Sequence, residues 1–109
     1  MNNFAQKKCI PCEIGGSPLT QEEAKKMLNE IGGEWELTDN KITKQFVFKD
    51  FSQAIEFVNQ VAKIAESENH HPDIHVTNWN KVRIDLFTHA VKGLSENDFI
   101  LAAKIQEIQ

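Results

Sequence analysis

Residues 50–89 read DFSQAIEFVNQVAKIAESENHHPDIHVTNWNKVRIDLFTH, a passage whose apolar period changes midway. In its first part Phe51, Ala54, Ile55, Val58, Val61, Ala62 and Ala65 recur at helical spacing. Phe57 and Ile64 widen that stripe, so a long helix is expected to lie flat on a sheet. Asp50, with Gln53 three residues on, is placed to cap its start. Pro72 pushes the residue before it out of the α region, so the helix should fail between Asn69 and His71. Beyond it the period falls to two. Residues 74–79 read as one strand, Asn80 as a turn residue and residues 81–89 as a second strand. That second strand sets Val82, Ile84, Leu86 and Thr88 on one face, with Arg83, Asp85, Phe87 and His89 on the other.

Outward from this passage the same grammar repeats. Thr20 and Glu23 form a capping box with Leu19 as staple, and Ala24, Met27, Leu28 and Ile31 follow at helical spacing until Gly32-Gly33 stops the run. Trp35 and Leu37 alternate with polar neighbours, and Asp39-Asn40 is a tight turn into residues 41–48. There Lys44 shares a face with Ile42, Phe46 and Phe48, so it must sit at an end or edge or reach solvent along its stem. Ser95, with Asp98 three residues later, opens a final helix carrying Phe99, Leu101, Ala102, Ile105 and Ile108. The order is α-β-β-α-β-β-α. Hairpins separated by helices give an α+β fold, a four-stranded antiparallel sheet with helices packed on one face. Residues 1–18, polar and punctuated by Pro11, Gly15, Gly16 and Pro18, are expected to be a flexible N-terminal arm, and residues 19–109 the domain.

A chain of 109 residues builds one core, and any site on it should be local or shared between copies. The formal charge of −4 disfavours direct contact with nucleic acid. No apolar run is long enough to span a membrane and no secretory leader is evident, so the expected location is cytoplasmic. Cys9 and Cys12 in a C-x-x-C pair are then no disulfide framework, and make at most half a zinc site.

The dense group of titratable residues is Glu66-Ser67-Glu68-Asn69-His70-His71-Pro72-Asp73, with His75 just beyond and His89 at a strand end. Imidazoles exchange protons near neutral pH, so an adjacent pair braced by proline, with a third histidine nearby, points to acid–base work on a small polar ligand. Glu66, Glu68 or Asp73 could orient a ring. Ligation by His71 and His75 is disfavoured because Pro72 denies them a shared helical face, and no H-E-x-x-H motif occurs. Phosphate-loop and nucleophile-elbow patterns are missing too. Trp79 and Phe87 offer flat surfaces for a planar ligand, though aromatic residues on strands more often serve packing.

Several motifs together carry a specific likeness. E-N-H-H-P-D-I (68–74), N-K-V (80–82), T-H (88–89), G-L-S-x-x-D (93–98), F-x-F-K-D-F (46–51) and the Trp35 hairpin resemble the pterin-4a-carbinolamine dehydratase family in register over residues 19–109. The resemblance implies the same α-β-β-α-β-β-α order and dehydration of 4a-hydroxytetrahydropterin to quinonoid dihydropterin, in the recycling of tetrahydrobiopterin for aromatic amino acid hydroxylases. It implies no cofactor and no metal. By the same resemblance His70, His71 and His89 are the catalytic histidines, with His70 as proton donor to the departing hydroxyl and the others as positioning or proton-accepting partners. Glu66, Asn69, Pro72, Asp73 and Trp79 then fall to substrate binding. Two features depart from some members: Asn69 stands where they carry Asp, and Ile74 where they place an aromatic residue. The family also implies a homodimer or homotetramer, for which the face bearing Arg83, Asp85, Phe87 and His89 and an open sheet edge are suited. The rival expectation is a non-enzymatic module of the same fold, a dimerisation, assembly or coactivator-like protein-binding domain.

Overall fold

The computed structural model describes residues 4–10 and 17–108. Helix α1 (Gln21–Ile31), strands β1 (Glu36–Thr38) and β2 (Lys41–Val47), helix α2 (Phe51–Glu68), strands β3 (Asp73–Thr77) and β4 (Lys81–Leu86) and helix α3 (Glu96–Glu107) follow in the expected order. The strands form one antiparallel sheet in the order β1-β2-β4-β3. Ile42 faces Leu86 and Phe46 faces Val82 in register, so the buried side chains of the two central strands fall on one face. On that face they meet Ala54, Phe57 and Val61 of α2, Phe99, Leu101 and Ile105 of α3, and Ala24 and Ile31 of α1. Phe46 is the hub, its ring 4.7 Å from Phe57 and 6.1 Å, edge-on, from Trp35. Lys44 escapes as its spacing requires: its ammonium lies 4.8 Å from the Phe46 ring centroid, and burial pulls its pKa down against a smaller upward pull from Glu34.

Each helix start follows its capping signal. Thr20 accepts from the Glu23 amide, Asp50 from the Gln53 amide, and Ser95 and Asp98 form a reciprocal box. The end of α2 sets where the adjacent histidines sit. Asn69 turns left-handed (φ 52°) as the cap, and the His70 amide returns to the Ala65 carbonyl at 3.1 Å. Asn tolerates this conformation better than most residues, and Pro72 prevents the helix from resuming.

Three expectations need correction. β3 ends at Thr77 instead of 79, because Asn78 and Trp79 both take positive φ (47° and 54°) and make the turn. The alternation through Trp79 therefore marks a hairpin tip and not a strand. β4 ends at Leu86 instead of 89, since Thr88 pairs with Gly93 in a small bridge and His89–Val91 coils into a 3₁₀ turn. His89 thus opens a turn. On α2, Phe51 and Ala62 face solvent while Phe57 takes the core position, which rotates the buried stripe.

Residues 4–10, expected to be part of a loosely held arm, lie against α3. Phe4 is buried with its ring 6.5 Å from Phe99, Lys104 Nζ donates to the Ala5 carbonyl at 2.7 Å, and Lys7 pairs with Glu96 at 2.7 Å. This cover helps bury Ile100 and Ala103 on α3, beyond the stripe its spacing predicts. Among the described residues no helix is long and apolar enough to cross a membrane.

On the open face of the sheet Asp85 is buried beneath its partners. Thr43 Oγ1 donates at 2.5 Å, and Arg83, His75 and Lys41 approach within 3.2, 3.2 and 3.5 Å. Burial pushes this carboxyl up, but Thr43, Arg83 and Lys41 outweigh it and hold the pKa below its ordinary 3.8. A carboxyl lowered on folding stabilises above its unfolded value and ceases to as pH falls through the folded one. The Tm deficit of Asp85→Asn relative to wild type should therefore be full near about pH 6 and shrink once pH drops below 3.8, as thermal melts across that range will record.

Candidate active site

The end of α2, the residues after β4 and the start of α3 meet in a pocket of about 240 Å³ lined by Asn69, His70, His71, Phe87, Thr88, His89, Ala90, Asn97 and Ile10. A larger concavity of about 360 Å³ lies between β2 and α2 beside Ile108, but contains no histidine, so chemistry favours the smaller one. All three histidines expected to act together are therefore brought to one place.

Their settings differ. The His70 side chain is 11% exposed, and its Nε2 lies 2.7 Å from Oδ1 of Asp98, which is fully buried. The other Asp98 oxygen accepts from Thr88 Oγ1 at 2.8 Å and from the Ser95 amide at 3.0 Å. A carboxylate that accepts on both oxygens requires a donor from the ring, so Nε2 carries a proton and Nδ1 is left to exchange one. His71 is half exposed and its Nε2 lies 2.5 Å from Oε2 of Glu66, itself mostly in solvent. Such a pair steers a ring but adds little stability. His89 is exposed, with its ring edge-on to Phe87 at 4.9 Å between centroids.

The expected binding residues divide. Asn69 lines the pocket, and Glu66 touches it through His71. Pro72 and Asp73 lie just outside the lining, one stopping the helix and the other starting β3. Trp79 is at the opposite end of the molecule: Asn80 bonds the Phe48 carbonyl beside the start of α2, whereas the histidines follow its end. Eighteen helical residues span about 27 Å, so Trp79 cannot contribute to the pocket of its own chain. His75 faces Asp85 on the open sheet face, away from the site.

The sequence reading missed Asp98 as a site residue because the capping box already accounted for it. The same side chain serves both ends, with Oδ2 holding the helix start and Oδ1 holding His70. Asn97 and Ile10 gave no signal at all.

Cys9 is half-buried, its thiol pushed up to about 12, first by burial and then by the charges of Glu68 and Asp98. A thiol held protonated is a poor nucleophile or metal ligand. Cys12, the other half of the C-x-x-C pair, lies outside the described residues. Among the described residues no group of three or more His, Cys, Asp or Glu side chains is arranged to hold a metal ion.

A buried carboxylate behind one imidazole, with two more imidazoles at the pocket's edge, is an arrangement equipped for proton exchange on a small α+β domain. The pterin 4 alpha carbinolamine dehydratase family profile matches residues 17–108. A protein of Alkaliphilus metalliredigens (strain QYMF), named for the same family, is 44% identical over 110 residues, covering 100% of this chain and 98% of its own. The crystal structure of a transcriptional coactivator/pterin dehydratase from Brucella melitensis superposes with a TM-score of 0.77 at 37% identity, over 84% of this chain and 98% of that one. A pterin dehydratase-like protein identified as a RuBisCO assembly factor in the alpha-carboxysome shares the fold, with a TM-score of 0.56 at 21% identity over 69% and 86% of the two chains. The chain belongs to the pterin-4a-carbinolamine dehydratase family.

Proposed function

We propose that this chain is a hydro-lyase that dehydrates 4a-hydroxytetrahydropterin to quinonoid dihydropterin, in the recycling of tetrahydrobiopterin. The observation that carries the reading is the pairing of His70 with buried Asp98 in a pocket that also holds His71 and His89. In the reaction the C4a–O bond breaks, the hydroxyl takes a proton from His70 and leaves as water. The neighbouring N5–H gives its proton to a base, and a C4a=N5 double bond forms. His89 or His71 is that base, and the donor is restored by proton exchange with solvent. Asp98 acts as a positioning residue, holding the His70 ring and fixing its tautomer. Asn69 supplies polar contact to the pterin, while Phe87 supplies flat apolar surface. Proton carriers of this kind contribute about 10²- to 10⁴-fold each.

The second reading, a protein-binding module, draws support from apolar side chains left in solvent at the Trp79 end, namely Val47 (59% exposed), Phe51 (55%) and Trp79 (60%). The two functions are compatible, and self-association into a dimer or tetramer would use such a surface. Titration with a dihydropterin, followed by amide NMR, separates them. The enzyme reading expects shifts concentrated at residues 69–71, 87–90 and 97. Shifts confined to Val47, Phe51 and Trp79, or no shift at all, would count against it.

A further inference from the structure

We infer that Ile10, which precedes the stretch covered by the family profile, forms a fixed wall of the histidine pocket and contributes to pterin affinity there. The inference rests on the proposed dehydratase reading for its ligand, but not for its geometry.

The backbone here is held at both polar groups of residue 10. The Ile10 amide donates to Asn97 Oδ1 at 3.0 Å, and Asn97 Nδ2 donates to the Ile10 carbonyl at 2.5 Å. Asn97 is itself buried, so this two-point clamp is anchored in α3. One residue earlier the Cys9 amide donates to Glu68 Oε1 at 2.8 Å, and the Cys9 thiol donates to the Asn97 carbonyl at 3.6 Å. Glu68 is fixed in turn, its side chain 5% exposed with the Lys104 ammonium at 3.8 Å. Phe4, buried against Phe99, anchors the upstream end. A segment with its polar groups paired to buried side chains has little freedom to move.

The clamp presents an isoleucine to a site where a polar residue would cost nothing. The Ile10 side chain is 68% exposed, and it lines the pocket beside His70, Phe87 and His89. An apolar side chain on a rigid backbone is a ready contact for the flat face of a heteroaromatic ring, since covering it removes apolar surface from water at no cost in ordering the chain. The same side chain limits the path of water and reagents to His70.

The test combines two measurements on the full chain. Dihydropterin binding is measured for wild type, Ile10→Leu, Ile10→Ala and Ile10→Asp. Affinity should be within about twofold of wild type for Leu, about fivefold weaker for Ala and weaker again for Asp, from the apolar area removed. In turnover the loss should appear in KM with kcat nearly unchanged, the mark of a binding contact. Separately, ethoxyformylation of His70 in ligand-free protein, read by mass spectrometry, should be about threefold faster in Ile10→Ala, with unchanged circular dichroism confirming the fold. Equal His70 modification in wild type and Ile10→Ala overturns the wall. Equal pterin affinity in all four proteins overturns the binding role. If wild type binds no pterin while Ile10→Ala still accelerates His70 modification, the wall stands and the dehydratase reading fails.

Discussion

His70→Ala is expected to lower kcat/KM for 4a-hydroxytetrahydropterin by about 10²- to 10⁴-fold, the range of one general acid–base group. His70 is the best-held of the three histidines: it is mostly buried, and its Nε2 is fixed by Asp98 at 2.7 Å. Preorganisation of that kind places the proton before the substrate arrives. His71 is half exposed and steered only by solvent-exposed Glu66, so His71→Ala should cost less, about 10²-fold, the low end of that range. The ordering is the informative part. Equal losses at His70 and His71 would mean that Asp98 has no part in the chemistry, and full activity in His70→Ala would remove His70 from the mechanism. Steady-state kinetics on both variants, with melts to verify folding, give the comparison.

Asp98→Ala should be among the most destabilising single substitutions in the chain. It removes the acceptor of three donors at once, the His70 ring, the Thr88 hydroxyl and the Ser95 amide. The site is fully buried, so water does not replace what is lost. Breaking a buried charged network costs about 3–5 kcal/mol, a large share of the roughly 5–15 kcal/mol that holds a domain of this size. At about 4–8 °C per kcal/mol, a fall in Tm of roughly 12–40 °C is expected, measured by calorimetry. Asp98→Asn separates structure from positioning. An amide has one acceptor oxygen, and keeping it on the Ser95 amide and the Thr88 hydroxyl turns its NH₂ toward His70. The ring must then accept on Nε2 and hold its single proton on Nδ1, which bars the doubly protonated form from which His70 gives a proton to the leaving hydroxyl. Asp98→Asn should therefore fold, with a Tm far closer to wild type than Asp98→Ala, yet lose activity. Nitrogen NMR of the His70 ring should show the reversed tautomer. An unchanged tautomer would confine Asp98 to capping α3.

Much of this architecture was legible because each element announces itself twice. Thr20 with Glu23, Asp50 with Gln53 and Ser95 with Asp98 mark helix starts, and each is followed by apolar residues at helical spacing. Strand ends were less legible. The alternation through Trp79 and His89 continues past the last ladder pairs, and only tertiary contacts decide where the chain turns. At the site, His70, His71 and His89 stood out by residue type. Asp98 did not, because one local interaction was enough to explain it. Ile10 was illegible for a different reason: no periodicity marks a segment held by backbone bonds to Asn97 and Glu68.

Dehydration of the carbinolamine at the histidine pocket can be tested directly. The direct measurement is the decay of 4a-hydroxytetrahydropterin ultraviolet absorbance in a reaction that generates it, with and without the purified chain. A decay rate that rises in proportion to catalytic amounts of wild-type protein, and returns towards the uncatalysed rate with His70→Ala, is the predicted result. A wild-type rate no faster than buffer, from protein that is folded by circular dichroism, would contradict it.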